Sequence, residues 1–293
     1  MIVSIPFRSP IGGVNEPMKK VILNAIVVCI AFAGCTDKAA SPANGEDWPG
    51  FRGPDGSGAY EAENLPSEWD ERTNIVWKQA LPGPGTSTPI VLGSRIYLTC
   101  YTGYAQAAAA PGDIERLARH VICLDRESGK VVWRKSFEPR LPESEYVGRN
   151  NTRHGYASST LTSDGEHLYV FFGISGLFCL DMEGNLVWRK DVGNGTHGWG
   201  SATSPRLYKN LIIVNASIES DSMIAFDKAT GKEVWRVPNI SKCWSSPMLV
   251  DVKGTSELVL NIPNRLNGFD PATGQELWYC DGIPDKYVCP SVI

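Results

Sequence analysis

Any chemistry in this sequence rests on a small set of cationic and aromatic side chains that recur just ahead of apolar segments. His154-Gly155-Tyr156, His197-Gly198-Trp199, Lys242-Cys243-Trp244 and Tyr287-Val288-Cys289 follow one pattern, and Arg149 and Arg153 stand beside the first of them in RNNTRHG. Guanidinium forks hold carboxylates and phosphates in two-pronged fashion, and ring faces attract cations and other rings. Gathered at one mouth, Arg149, Arg153, His154, Tyr156, His197, Trp199, Lys242 and Trp244 would make a site for an anionic or aromatic ligand, or for a peptide segment of a partner. The competing expectation is that the rings pack on neighbouring elements and the imidazoles bond loop carbonyls. Two histidines without carboxylates at ligand spacing seldom hold a metal, and no metal site is expected.

Other chemistry lacks its residues. The chain has no GxSxG, HExxH, P-loop or GxGxxG pattern, and no catalytic residue stands out. With 28 Lys and Arg against 32 Asp and Glu the formal charge is -4, which gives no basic field to draw the chain onto phosphate backbones. Nucleic acid is not an expected partner.

The elements that position these residues come from an internal repeat. CLDRESGKVVWRK (123–135), CLDMEGNLVWRK (179–190), AFDKATGKEVWR (225–236) and GFDPATGQELWY (268–279) align, and a fifth indole sits in NIVWK (74–78). Trp77, Trp133, Trp188, Trp235 and Trp278 are 56, 55, 47 and 43 residues apart, about the length of one four-stranded propeller blade. Asp125, Asp227 and Asp270 end a strand. Gly129, Gly231 and Gly274, four residues on, supply the positive φ that a type I turn with a G1 bulge requires. In the second repeat Asp181 and Gly184 leave a loop one residue shorter, so its turn geometry should differ. The repeated tryptophans are expected to fill the wedges between blades.

These segments resemble the pyrroloquinoline quinone (PQQ)-like repeat of quinoprotein dehydrogenases and of the propeller lipoprotein of the outer-membrane β-barrel assembly machine. The resemblance covers about residues 74–293, and DWPGFRGPDGSG (47–58) is similar to the opening of envelope proteins with that repeat. It implies an all-β fold: a β-propeller of four-stranded antiparallel blades, four of them complete at about 85–135, 156–190, 199–237 and 244–280. Propellers of this type have seven or eight blades. The expectation is therefore a C-terminally truncated ring, with Asn74 to Lys78 as the outermost strand of its last blade. The long insertions Tyr101 to Arg119 and Ser136 to Gly155 fall on the same face as the blade-to-blade connections, the face where binding is expected.

The N-terminal region reads as a targeting signal. Lys19 and Lys20 precede an apolar stretch, Val21 to Ala33, and Phe32-Ala33-Gly34-Cys35 resembles a bacterial lipobox. Residues 1–34 are then upstream residues and lipoprotein signal peptide, with Met18 the expected true start. Cys35 is the lipid anchor, 35–46 a polar tether and 47–293 the partial propeller. The expected location is the periplasm-facing cell envelope, at the outer membrane. Of the other cysteines, Cys123 and Cys179 read as core, while Cys100 with Cys123 or Cys280 with Cys289 are the pairs placed for a disulfide.

The resemblance carries two functions. The leading one is a lipid-anchored, non-catalytic binding or assembly scaffold, needing no cofactor, for an envelope protein or polysaccharide partner. The alternative is a periplasmic PQQ-dependent quinoprotein dehydrogenase oxidising an alcohol or sugar, with PQQ and calcium. Such enzymes carry an adjacent Cys-Cys pair against the quinone, and neither that pair nor a CxxCH haem site occurs here.

Overall fold

Period-two alternation on the middle strands gives the molecule its architecture. Leu168 and Val170 point to one side and pack with Ile90, Tyr97, Val121 and Cys123. Their neighbours Tyr169 and Phe171 point to the other side and pack with Ile212, Val214, Ile224 and Phe226. Both faces of such a strand are buried, so it reads as a continuous apolar run, whereas a strand with one wet face alternates. The hydrophobic core accordingly lies between sheets rather than within them. A third cluster joins Leu211, Ile213, Met223 and Trp235 to Leu258, Leu260 and Phe269. Full burial of each such side chain contributes roughly 1.5–3 kcal/mol.

The computed structural model describes residues 47–60, 66–70, 72–107, 110–145 and 155–292. Cys35, the signal segment, the tether up to residue 46, and Arg149, Arg153 and His154 lie outside the described residues. Among these residues, sixteen strands form four antiparallel four-stranded sheets, each in sequential order from the innermost strand outward. The first blade is β1 (Ile90–Leu92), β2 (Arg95–Thr102), β3 (Ala118–Asp125) and β4 (Val131–Phe137). The second is β5 (Thr162–Ser163), β6 (His167–Phe171), β7 (Leu177–Asp181) and β8 (Leu186–Lys190). The third is β9 (Arg206–Tyr208), β10 (Leu211–Ala216), β11 (Ser222–Asp227) and β12 (Glu233–Pro238). The fourth is β13 (Met248–Val252), β14 (Thr255–Ile262), β15 (Arg265–Phe269) and β16 (Glu276–Asp281). The fold is an all-β arrangement of propeller blades. Asn74 to Lys78 forms no strand among the described residues, although its Trp77 docks as the other repeated indoles do.

Each blade holds the next by the same two polar devices. Toward the rim, the Nε1 of Trp77, Trp133, Trp188 and Trp235 donates to the carbonyl of Arg126, Met182, Lys228 and Pro271, at 2.9, 3.1, 3.1 and 3.2 Å. Each acceptor follows the turn aspartate of the next blade. The ring then covers the turn glycine: a Cβ at Gly129, Gly184, Gly231 or Gly274 would sit 2.4–2.8 Å from the indole or a neighbouring side chain. These glycines are required twice, by contact and by φ values of 66–79°. Three of the turns close with the glycine amide donating to the aspartate carbonyl four residues back. In the shorter second turn Gly184 reaches three residues back, to Asp181. Near the axis, Thr88 N–H donates to Thr160 Oγ1, Thr160 N–H to Ser204 Oγ, Ser204 N–H to Ser246 Oγ and Ser246 N–H to Ser291 Oγ, all within 2.8–3.0 Å. This hydroxyl belt gives partners to the amides that lie two residues ahead of each innermost strand. All six described cysteines are free; Cys123 and Cys179 are buried, and Cys280 and Cys289 are exposed.

Candidate functional site

The residues leading into each inner strand cluster at one end of the molecule, opposite the tight turns at Gly93, Gly165 and Gly254. There the rings of His197, Trp199, Trp244 and Tyr287 form a tetrad in which every pair of centroids lies 4.9–5.9 Å apart, tilted or edge to face. Such geometry aligns positive ring edges with negative faces. Trp244 is anchored beneath, its Nε1 donating to Gly200 O at 2.7 Å, and only 7% of it is exposed; Trp199 is 40% exposed. The Trp199 amide donates to His197 Nδ1 at 3.1 Å, which makes that nitrogen an acceptor. Burial, and then the charge of exposed Lys242, push the His197 pKa down, so the imidazole is neutral at pH 7. The result is a half-exposed aromatic knob with a cation at its side.

A buried polar cluster adjoins it. Arg119, at the start of β3, donates from Nη2 to Glu143 Oε2 at 2.8 Å, from Nη1 to Ser175 Oγ at 3.0 Å and from Nε to Tyr156 O at 2.9 Å. Its guanidinium lies over the Tyr156 and Phe172 rings. Burial raises the Glu143 pKa, partly offset by Arg119. Behind them Glu219, in the β10–β11 loop, accepts a hydrogen bond from the Ser201 hydroxyl. A small cavity is lined by Arg119, Glu143, Ser158, Ser159, Gly173 and Ser201. Ser144 joins cluster to knob: its hydroxyl donates to His197 O at 2.8 Å, and its carbonyl accepts from the Tyr156 hydroxyl at 2.6 Å.

Of the residues singled out by sequence, the structure brings His197, Trp199, Lys242 and Trp244 together, with Tyr287 added. Tyr156 goes elsewhere: it is 4% exposed and packs against Tyr101 and Tyr104 of the first blade. Sequence reasoning missed Arg119, Glu143, Ser201 and Glu219, because polar residues in loop-like stretches carry no local sign of burial. Among the described residues, no group of three or more His, Cys, Asp or Glu stands together as a metal site.

Four blades built on one repeat, with tryptophans docked across the seams, define a β-propeller of the PQQ-like class. A family model described as outer membrane protein assembly factor BamB matches residues 118–280, and the chain belongs to that family. Among solved structures it is similar to BamB from Moraxella catarrhalis, at 15% identity and a TM-score of 0.46 over 68% of this chain and 53% of that one. It is also similar to quinohemoprotein alcohol dehydrogenase from Comamonas testosteroni, at 13% identity and 0.37 over 72% and 46%. A europium-containing methanol dehydrogenase matches at 13% and 0.39 over 68% and 51%. The chain thus spans about half the length of the structures it matches. No curated protein matches it.

Proposed function

We propose that this chain is a non-catalytic binding or assembly scaffold of the cell envelope, tethered through a lipid on Cys35, that engages an envelope protein or polysaccharide through the lead-in face. The observation that carries this reading is the ring tetrad with Lys242 beside it. Rings that pack edge to face leave a firm, half-wet knob, and tryptophan and tyrosine are enriched among the anchors of protein interfaces. The family description, an assembly factor, supports the same reading.

The alternative, a quinoprotein dehydrogenase, requires carboxylates around calcium beside PQQ. Within the described residues Glu143 is engaged by Arg119 and Glu219 by Ser201, and no third acidic group joins them. Both carboxylates are thus committed to partners within the protein, and no reaction step is assigned to the alternative.

A photo-crosslinking residue in place of Gly198, exposed beside Trp199 with open space around it, in the producing cells, should trap an envelope partner, whereas one in place of Asp251, on the turn side, should not. Trp199→Ala with Lys242→Glu should weaken capture about tenfold or more, as expected for loss of an interface anchor. Equal trapping from both faces, or steady dye reduction with PQQ, calcium and an alcohol or sugar, would overturn the proposal.

A further inference from the structure

The segment DWPGFRGPDGSG is too regular for a linker and takes no part in the lead-in face. The Asp47 carboxylate accepts from the Gly93 amide at 2.7 Å, in the β1–β2 turn. Trp48 and Val91 exchange backbone hydrogen bonds of 2.8 and 3.0 Å, so the segment adds a short rung to the free edge of β1. Pro49 O then accepts from the Ser163 amide at 2.9 Å and the Thr162 hydroxyl at 3.1 Å, both on β5. Asp55 O accepts from Arg206 Nη2 at 3.0 Å, on β9. Gly56 lies against Met248 of β13, close enough that a Cβ would fall 2.5 Å from Met248 Cε. Arg52 Nη1 donates to Val292 O at 2.7 Å, beyond the fourth blade.

A stretch of ten residues thus touches the innermost strand of each of the four described blades, and the first contact is at a tight turn. Innermost strands line a central channel, so the path that meets all four runs over the turn end of that channel along these blades. The segment is built for this. Gly50, Gly53 and Gly56 are buried; Gly53 and Gly56 have φ of 80° and 82°, and a Cβ on Gly53 would press on the Trp48 ring. Its own turns are closed by Gly53 N–H to Gly50 O and Gly58 N–H to Arg52 O. It also gives partners to the Val91 and Ser163 amides, which face the channel and not a neighbouring strand.

We infer that residues 47–58 are a built-in plug for the turn-side mouth of the central channel, so that the channel opens only toward the lead-in face. The inference holds whichever partner that face takes. Met248, 5% exposed beneath Gly56, reports the state of the plug, and Met223, fully buried between the third and fourth blades, reports the fold.

In the full chain, Gly56→Val should displace the segment and raise the rate of Met248 oxidation by hydrogen peroxide about tenfold or more, because oxidation follows exposure, while Met223 stays protected. A second variant locks the plug: a Cβ at position 50 lies 3.4 Å from Thr162 Cβ, near disulfide spacing. Gly50→Cys with Thr162→Cys should therefore oxidise to a bond identifiable by peptide mass, and should keep Met248 protected. Met248 as reactive in the parent as in Gly56→Val, failure of the cysteine pair to join, or Met223 reacting in step with Met248 would each overturn the plug.

Discussion

Glu219 is a carboxyl enclosed between the second and third blades. Burial pushes its pKa up to about 7, and nearby Glu143 pushes the same way, while the Ser201 hydroxyl and Arg119 oppose them. A carboxyl whose folded pKa exceeds its ordinary value of 4.5 stabilises the fold fully below that value. That contribution is lost as pH rises through the folded pKa and is absent above it. On account of Glu219 the parent should therefore lose stability between about pH 4.5 and pH 7, on the order of a few kcal/mol, relative to a protein without this titration. Glu219→Gln keeps the shape and the hydrogen bond without the titration. Melting curves at several pH values should show that decline flattened and the variant the more stable protein at the alkaline end; parallel profiles for the two proteins would refute the assignment. None of this was legible in the sequence, where NASIESD reads as a polar turn. The juxtaposition of His197, Trp199 and Trp244 was legible, because equivalent positions in successive repeats become neighbours around the axis. Tyr156 departs from it, packing against Tyr101 and against Tyr104, the latter in the long insertion of the first blade.

Strands and turns were the most legible level. The small residue before each turn, Cys123, Cys179, Ala225 or Gly268, stands opposite the tryptophan of its own blade, and a bulge follows it in every case. Repetition makes such a requirement visible, since one position must satisfy the same contact four times. Two glycines separate contact from backbone strain. Gly231 has φ 66° and the Trp188 ring within 2.8 Å of its would-be Cβ, whereas Gly165 has φ 88° and nothing within 4 Å. Valine at either site should cost about 1–3 kcal/mol for the left-handed backbone. Gly231→Val should cost more, and should also shift tryptophan emission as Trp188 loses its seat. Equal melting temperatures for the two variants would show that the indole does not bear on the turn. The alternative registers of the four turns follow loop length: one residue fewer in the second turn moves the closing bond from four residues back to three.

For the whole molecule, the blade spacing was legible from the tryptophans, but the course of residues 47–58 was not. A Pro- and Gly-rich stretch shows where a chain turns without showing what it lies against, and its partners are 40 to 240 residues away in sequence. The proposed lipid anchor belongs to this scale as well. Cys35→Ala should abolish lipid labelling and release the protein from membranes, measured by fractionation; undiminished labelling and sedimentation with membranes would rule out lipidation at this cysteine.

The two ties across each seam, hydroxyl to amide near the axis and indole to carbonyl toward the rim, sit at different radii. Two fixed lengths at two radii define an angle, so the blades act as the wedge stones of a masonry arch. Curvature is then a property of taper, set by the ratio of the inner gap to the outer one and not by chain length. A bulkier side chain in place of Thr160 would pry the inner ends apart and straighten the curve, whereas a smaller ring in place of Trp133 would let the rim close and straighten it from the other side. The same four-stranded blade can thus serve arches of different span by adjusting two side chains per joint.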